Sequence, residues 1–203
     1  MYRFSLLTVL IPSLLVQAAC APIVVGGATA GGIAVAQERT FGAAIDDATI
    51  HSRILKRFFE TDVNDLLTGV SVEVQEGTVL LTGQVNKPET AIEAVKQSWQ
   101  VDGVREVINE IQVTDSSKIS TYAKDTFITG RIRTRLVAEK GVYSVNYSIE
   151  TVRGVVYVMG LAHNQEELEK VLYLASTVKG VKQVVSHVRL VSDPRRDANK
   201  IAQ

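Results

Sequence analysis

The chain is poor in the residues that most often announce chemistry. Among its 203 residues there is one cysteine, so no internal disulfide can form. His51, His163 and His187 are scattered, and none has a metal-ligand partner at i+3 or i+4. There is no G-x-S-x-G and no Walker sequence. The glycine-rich stretch at 26–32 has no Lys-Ser/Thr after it and no strand pattern before it, so it is not a phosphate loop. An excess of one charge is also missing: 22 basic residues stand against 22 acidic ones, which removes any whole-molecule attraction to nucleic acid. Two acid pairs, Asp46-Asp47 and Glu166-Glu167, fall where helices are expected to begin, and there the macrodipole and capping account for them. The single tryptophan, Trp99, stands at core spacing. These absences point away from an enzyme and call for no cofactor and no metal.

What is present begins with an N-terminal leader. Arg3 supplies a positive charge, residues 4–16 are largely apolar, and Ala18 and Ala19 precede Cys20. This resembles a bacterial lipoprotein signal, in which Cys20 becomes the lipidated first residue, although Gln17 stands where an aliphatic residue is usual. Ala21 after the cysteine then implies transfer to the outer membrane. Cleavage by ordinary signal peptidase near Ala18 or Ala21, or an uncleaved anchor extended by the apolar 23–36, are the alternatives. Residues 1–19 are thus expected as signal peptide and 20–45 as a lipidated Gly/Ala-rich tether, flexible by composition.

Beyond it, one pattern is written twice. Gly77, Gly83 and Gly103 recur 77 positions on as Gly154, Gly160 and Gly180. At an offset of 78, Asp47, Ile50, Arg53 and Ile54 match Asp125, Ile128, Arg131 and Ile132. A period this long means two small domains rather than a solenoid. Each copy reads helix–strand–strand–helix–strand. In the first, Asp46 or Asp47 is expected to cap a helix that buries Ile50, Ile54 and Phe58. Strands follow on either side of Glu76-Gly77. Residues 86–89 read as a capping box with proline in the first turn, opening a helix that buries Ile92, Val95 and Trp99. In the second, Asp125 caps a helix with Ile128, Ile132 and Leu136. Strands flank Arg153-Gly154, and Asn164 and Glu167 form a capping box before Leu168, Leu172 and Ala175. Strand–helix–strand requires a right-handed crossover, so the last two strands of each copy should be parallel. The fold class is α+β: two tandem two-layer α/β sandwiches, αββαβ each, with a small mixed sheet and two helices on one face. The domains are expected at 46–114 and 124–192, with a linker at 115–123 and a loose tail at 193–203.

This arrangement, with its glycines so placed, resembles the BON domain. Leader, tether and two copies together resemble the dual BON-domain outer-membrane lipoproteins of Gram-negative bacteria. The resemblance implies a non-enzymatic protein on the periplasmic face of the outer membrane. It would bind an anionic phospholipid membrane through its second domain and support outer-membrane integrity. It further implies outer-membrane assembly or cell-division envelope proteins as partners, and no nucleic acid. The alternatives are a protein-interaction adaptor for envelope assembly, using the sheet faces or the acidic first domain, and a soluble periplasmic stress-protective protein.

One element differs between the copies. On a wheel of about 100° per residue, Phe127 lies about 140° from the centre of the buried face of its helix. Arg131 and Thr134 flank it, and Lys124 and Arg135 stand to the side. The matching residue of the first copy is Thr49. Residues 124–140 carry a net charge of +3 and residues 46–65 one of −2. An exposed ring among arginines suits an anionic bilayer; packing of Phe127 against the first domain or the linker is the plainer alternative. The expected lipid-binding residues are Phe127, Ile128, Gly130, Arg131, Arg133, Thr134 and Arg135. The lipoproteins that the chain resembles carry tryptophan at the position of Phe127. Gly130 costs the helix about 1 kcal/mol against alanine and lowers its local profile.

Overall fold

The computed structural model describes residues 41–61, 66–114 and 119–198. The leader, Cys20 and its lipidation, the tether up to residue 40, the first part of the linker and the end of the tail lie outside the described residues.

The first unit runs α1 (Phe41–Glu60), a single turn α2 (Leu66–Gly69), β1 (Val70–Gln75), β2 (Thr78–Val85), α3 (Pro88–Trp99), β3 (Glu106–Asn109) and β4 (Gln112–Val113). β1 pairs antiparallel with β2, while β3 and β4 both run parallel to β2 and meet it in succession. The second unit runs α4 (Ile119–Ala138), a 3₁₀ turn (Ser144–Asn146), β5 (Tyr147–Val152), β6 (Val155–Ala162), α5 (Gln165–Ser176) and β7 (Gln183–Leu190), followed by α6 (Pro194–Ala198). β6 lies between antiparallel β5 and parallel β7. The parallel pairings are those that the crossover rule demands. Ile50, Ile54 and Phe58 fill one core, and Ile128, Ile132 and Leu136 the other, each between helices and one face of a sheet.

Asp47 and Asp125 do not cap helices. α1 begins at Phe41 and α4 at Ile119, which leaves both aspartates inside. Each instead grips the hairpin turn of its own sheet. Asp47 accepts from the Glu76 and Gly77 amides at 2.9 Å each, and Asp125 from those of Arg153 and Gly154 at 2.8 and 2.9 Å. Both residues of each turn have positive φ, the geometry of a two-residue hairpin whose amides point at one anion. A Cβ on Gly77 would also stand 2.8 Å from the Gly103 carbonyl oxygen, so these recurrent glycines are bound to each other by contact. The capping box holds in one copy only. Asn164 accepts from the Glu167 amide at 2.9 Å, whereas Lys87 is the N-cap of α3 and makes no side-chain cap.

α3 also buries a different stripe from the expected one. Ala91, Ala94 and Ser98 face the sheet, and Ile92 and Trp99 are exposed at 65% and 52%. Both stripes have the same i, i+3, i+7 spacing, one residue apart. The small side chains let the helix lie close on the sheet, which the larger stripe would prevent. In α5 the buried residues are Glu167, Val171 and Ala175, with Leu172 at the margin.

The second faces of the two sheets pack on each other. Leu80 and Ile108 of the first sheet meet Val152, Val155, Tyr157, Met159 and Val185 of the second. This explains why β2 and β6 are apolar on both faces rather than alternating. The order through the molecule is helices, sheet, sheet, helices. Around the apolar contact, carboxylates of the first unit meet arginine and histidine side chains of the second. Glu76 is held by Arg196 through two bonds at 2.9 and 2.7 Å, Glu110 meets His187 at 3.0 Å, and Glu106 meets Arg189. Gln112 bonds the Tyr157 hydroxyl at 3.2 Å, and Arg153 bonds Thr114 at 2.7 Å. The expected loose tail is therefore docked where it is described: Arg196 of α6 is only 8% exposed and reaches back to the first unit's hairpin.

Candidate functional site

α4 presents the site proposed from sequence. Its inner face is fixed by Ile128, Ile132 and Leu136, and by a buried hydrogen bond between the hydroxyls of Thr129 and Thr151 at 2.8 Å. With that face anchored, Phe127 must point outward, and it is 61% exposed. The Arg131 guanidinium lies over its ring, 4.9 Å from the centroid. Such a contact at an exposed position contributes about 0.5–1 kcal/mol. Gly130 is on the same face, and a Cβ there would meet nothing within 4 Å. The Thr134 hydroxyl is turned back onto the Gly130 carbonyl at 2.9 Å.

The remaining expected residues divide. Ile128 is a core residue, 5% exposed, and its side chain lies against Gly180, so it is withdrawn from any surface contact. Arg133 and Arg135 do not join Arg131. They lie on the two flanks of the buried face, about 100° and 60° from its centre on the wheel. Arg133 donates to the Ile149 carbonyl at 2.9 Å. Arg135 donates to the Leu174 carbonyl at 3.3 Å and to Thr177 at 2.9 Å, at the C-terminal end of α5. In the first copy Arg57 reaches Gln100, at the end of α3, in the same way. Arg135 is therefore a helix clamp shared by both copies, and its charge still adds to the field around α4. Sequence reasoning missed Tyr122 and Val137, which are also exposed on α4. Tyr122 was assigned to the linker, and Val137 would have emerged from extending the wheel past Leu136.

Elsewhere the polar groups are used structurally. The buried Glu167 carboxylate accepts from the Tyr143 and His163 amides and meets His163 Nδ1, each at 2.9 Å. Burial alone would raise its pKa, but these donors more than offset that and hold it below the usual carboxylate range. The result pins the segment between α4 and β5 to the turn before α5, with Tyr143 and His163 in ring contact at 4.2 Å. A cleft of about 190 Å³ opens at the seam between the sheets, lined by Glu76, Glu106, Ser186, His187, Arg189 and Arg195 among others. Its charges are matched with one another or with close neighbours, as in Arg189–Glu106 and Arg195–Asp193. Among the described residues no group of three or more His, Cys, Asp and Glu could hold a metal ion, and no helix is long and apolar enough to cross a membrane.

The sequence profile of the BON domain matches residues 46–115 and 124–192, the two αββαβ units. An uncharacterised protein encoded in the gshII 5′ region of Anaplasma centrale is 46% identical over 147 residues, 72% of this chain and 95% of that protein. Osmotically-inducible protein Y of Escherichia coli is 31% identical over 150 residues, 73% of this chain and 74% of that protein. Outer membrane lipoprotein DolP of Haemophilus influenzae is 28% identical over 174 residues, 85% of this chain and 89% of that protein.

Proposed function

The chain belongs to the BON-domain family, and from that premise we propose that it is a non-enzymatic protein of the bacterial envelope, held at the outer membrane by lipid on Cys20, that docks on anionic phospholipid through the outer face of α4 and so supports membrane integrity. The observation that carries this reading is the exposed Phe127 ring with Arg131 over it, present in one copy and replaced by Thr49 in the other. The relative named as an outer membrane lipoprotein supports the location.

Magnitudes say why an anchor is needed. Burying the exposed part of the ring contributes about 2 kcal/mol. Each cation near the headgroups adds about 1 kcal/mol. The sum is the affinity of a weak, reversible contact. The lipid on Cys20 supplies the lasting hold, and the α4 contact adds to it through effective concentration. Distance permits the combination. α1 and α4 lie on opposite outer layers, about 30 Å apart at about 10 Å per layer. Any 20 residues of chain can reach up to about 65 Å, so the length of the 21–40 stretch does not forbid it. An adaptor that used the sheet faces would lack its surface, because Leu80, Tyr157 and Met159 cover one another.

The test is co-sedimentation of residues 40–203 with vesicles. Binding is expected to vesicles containing phosphatidylglycerol and not to pure phosphatidylcholine. Equal binding to both, or to neither, refutes the lipid reading.

A further inference from the structure

α3 carries an apolar ridge that no described residue covers. Ile92, Val95 and Trp99 stand at i, i+3 and i+7 along one flank; Val95 packs half-buried at its base, and the two ends are largely exposed. At the matching positions of the second copy, 77 residues on, stand Glu169, Leu172 and Ser176. The ridge thus belongs to the first unit alone, and a half-exposed tryptophan in an apolar stripe is the side-chain type that dominates protein contacts. It is less suited to an anionic bilayer than the outer face of α4, because Glu89 and Glu93 flank it and Lys96, on the same helix, is paired with Glu93 at 3.2 Å.

We propose that this ridge pairs with the same ridge of a second copy, α3 against α3, antiparallel about a two-fold axis between Val95 and Lys96. That axis sets Ile92 level with the partner's Trp99 at both ends of the contact, with the two Val95 side chains between them. It also places each Lys96 within about 3 Å, along the helix axis, of the level of the partner's Glu93 and on the same flank. The Lys96–Glu93 pair can then close between helices as it now does within each one. The surface is therefore self-complementary in shape and in charge, as an isologous contact must be. The exposed parts of Ile92 and Trp99 offer on the order of 200–250 Å² per protomer. This is well short of the roughly 800 Å² per partner of a stable complex. The contact is accordingly weak in solution and gains from tethering both copies to one membrane. α3 lies in the helix layer opposite α4, so pairing leaves Phe127 free.

The experiment is sedimentation equilibrium of the full chain in detergent micelles over a protein concentration series at fixed detergent. Emission from Trp99, the single tryptophan, is recorded on the same samples. A monomer–dimer equilibrium is expected, with a blue shift that follows the dimer fraction. Ile92→Glu should lower the association constant about tenfold or more without changing the melt. Glu93→Lys and Lys96→Glu should each weaken it about fivefold. The double exchange should restore it, an outcome a different partner protein would not give. A chain that stays monomeric up to about 1 mM overturns the proposal. So does a dimer indifferent to Ile92→Glu, a double exchange that restores nothing, or emission that shifts with added lipid but not with protein concentration.

Discussion

Replacing Phe127 should separate the proposed membrane docking from folding. The ring is mostly exposed, so Phe127→Ala removes little from the folded domain: about 0.5–1 kcal/mol of contact with Arg131. Alanine's better helix propensity returns about 0.5 kcal/mol. The melting temperature should therefore move by no more than about 2 °C. On the membrane the same change deletes about 2 kcal/mol of ring burial, roughly a 30-fold loss of binding, and the loss should be the same at every salt concentration because it is not electrostatic. Arg131→Ala should behave differently. At low salt it should cost about fivefold, the effect of one cation near headgroups. That cost should fade as the Debye length shrinks from about 10 Å at 0.1 M salt to about 3 Å at 1 M. Vesicle co-sedimentation at several salt concentrations, with thermal melts of each variant, measures all of this. A fall of many degrees for Phe127→Ala would make Phe127 a packing residue and end the argument. Identical salt profiles for the two variants would refute the division of labour between ring and charge.

Three further outcomes follow from particular contacts. Arg196→Ala should destabilise the chain by about 3 kcal/mol in a denaturant titration, because it leaves the largely buried Glu76 carboxylate without its two-bonded partner, and Arg196→Lys should recover only part. Gly130→Ala should raise stability by about 1 kcal/mol, read as a melting temperature 2–4 °C higher by about the usual scaling, since the new methyl group meets only open space. Burial, then the Glu73 charge across the seam, with Asp125, raises the Glu150 pKa despite Arg133. A carboxyl whose folded pKa is raised penalises the fold above that pKa, and the penalty disappears as pH falls through it. Glu150→Gln should thus raise the melting temperature at pH 7 and leave it nearly unchanged near pH 4; the opposite order would refute the assignment.

Periodicity was sufficient wherever one face of an element is buried and the other is wet. The stripes of α1 and α4, the turns at Gly77 and Gly154 and the parallel crossovers were all legible on that basis. It failed on α3, where two stripes of equal spacing lie side by side and the smaller one wins by allowing closer approach. It failed on Asp47 and Asp125 because their partners are amides on a hairpin about 30 residues away, and an acid near a helix start looks the same whether it caps or reaches across. The same blindness merged Arg131, Arg133 and Arg135 into one cluster. Only Arg131 shares the face of Phe127, and the other two are drawn off by carbonyls of β5 and α5.

The sequence by itself determined that there are two copies of one αββαβ unit, which residues of α1 and α4 enter each core, and that Phe127 points outward, because all of these depend on local spacing and on the pairing of neighbouring elements. Only the tertiary structure decided how the copies combine. β2 and β6 are apolar on both faces, a pattern that demands a cover without naming one. The cover proved to be the other sheet, closed at its rim by acids of the first unit against arginine and histidine side chains of the second. Contacts between residues about 70 to 120 positions apart leave no period in a sequence. Which helix faces remain exposed on opposite sides of the molecule therefore became known only from the packed chain.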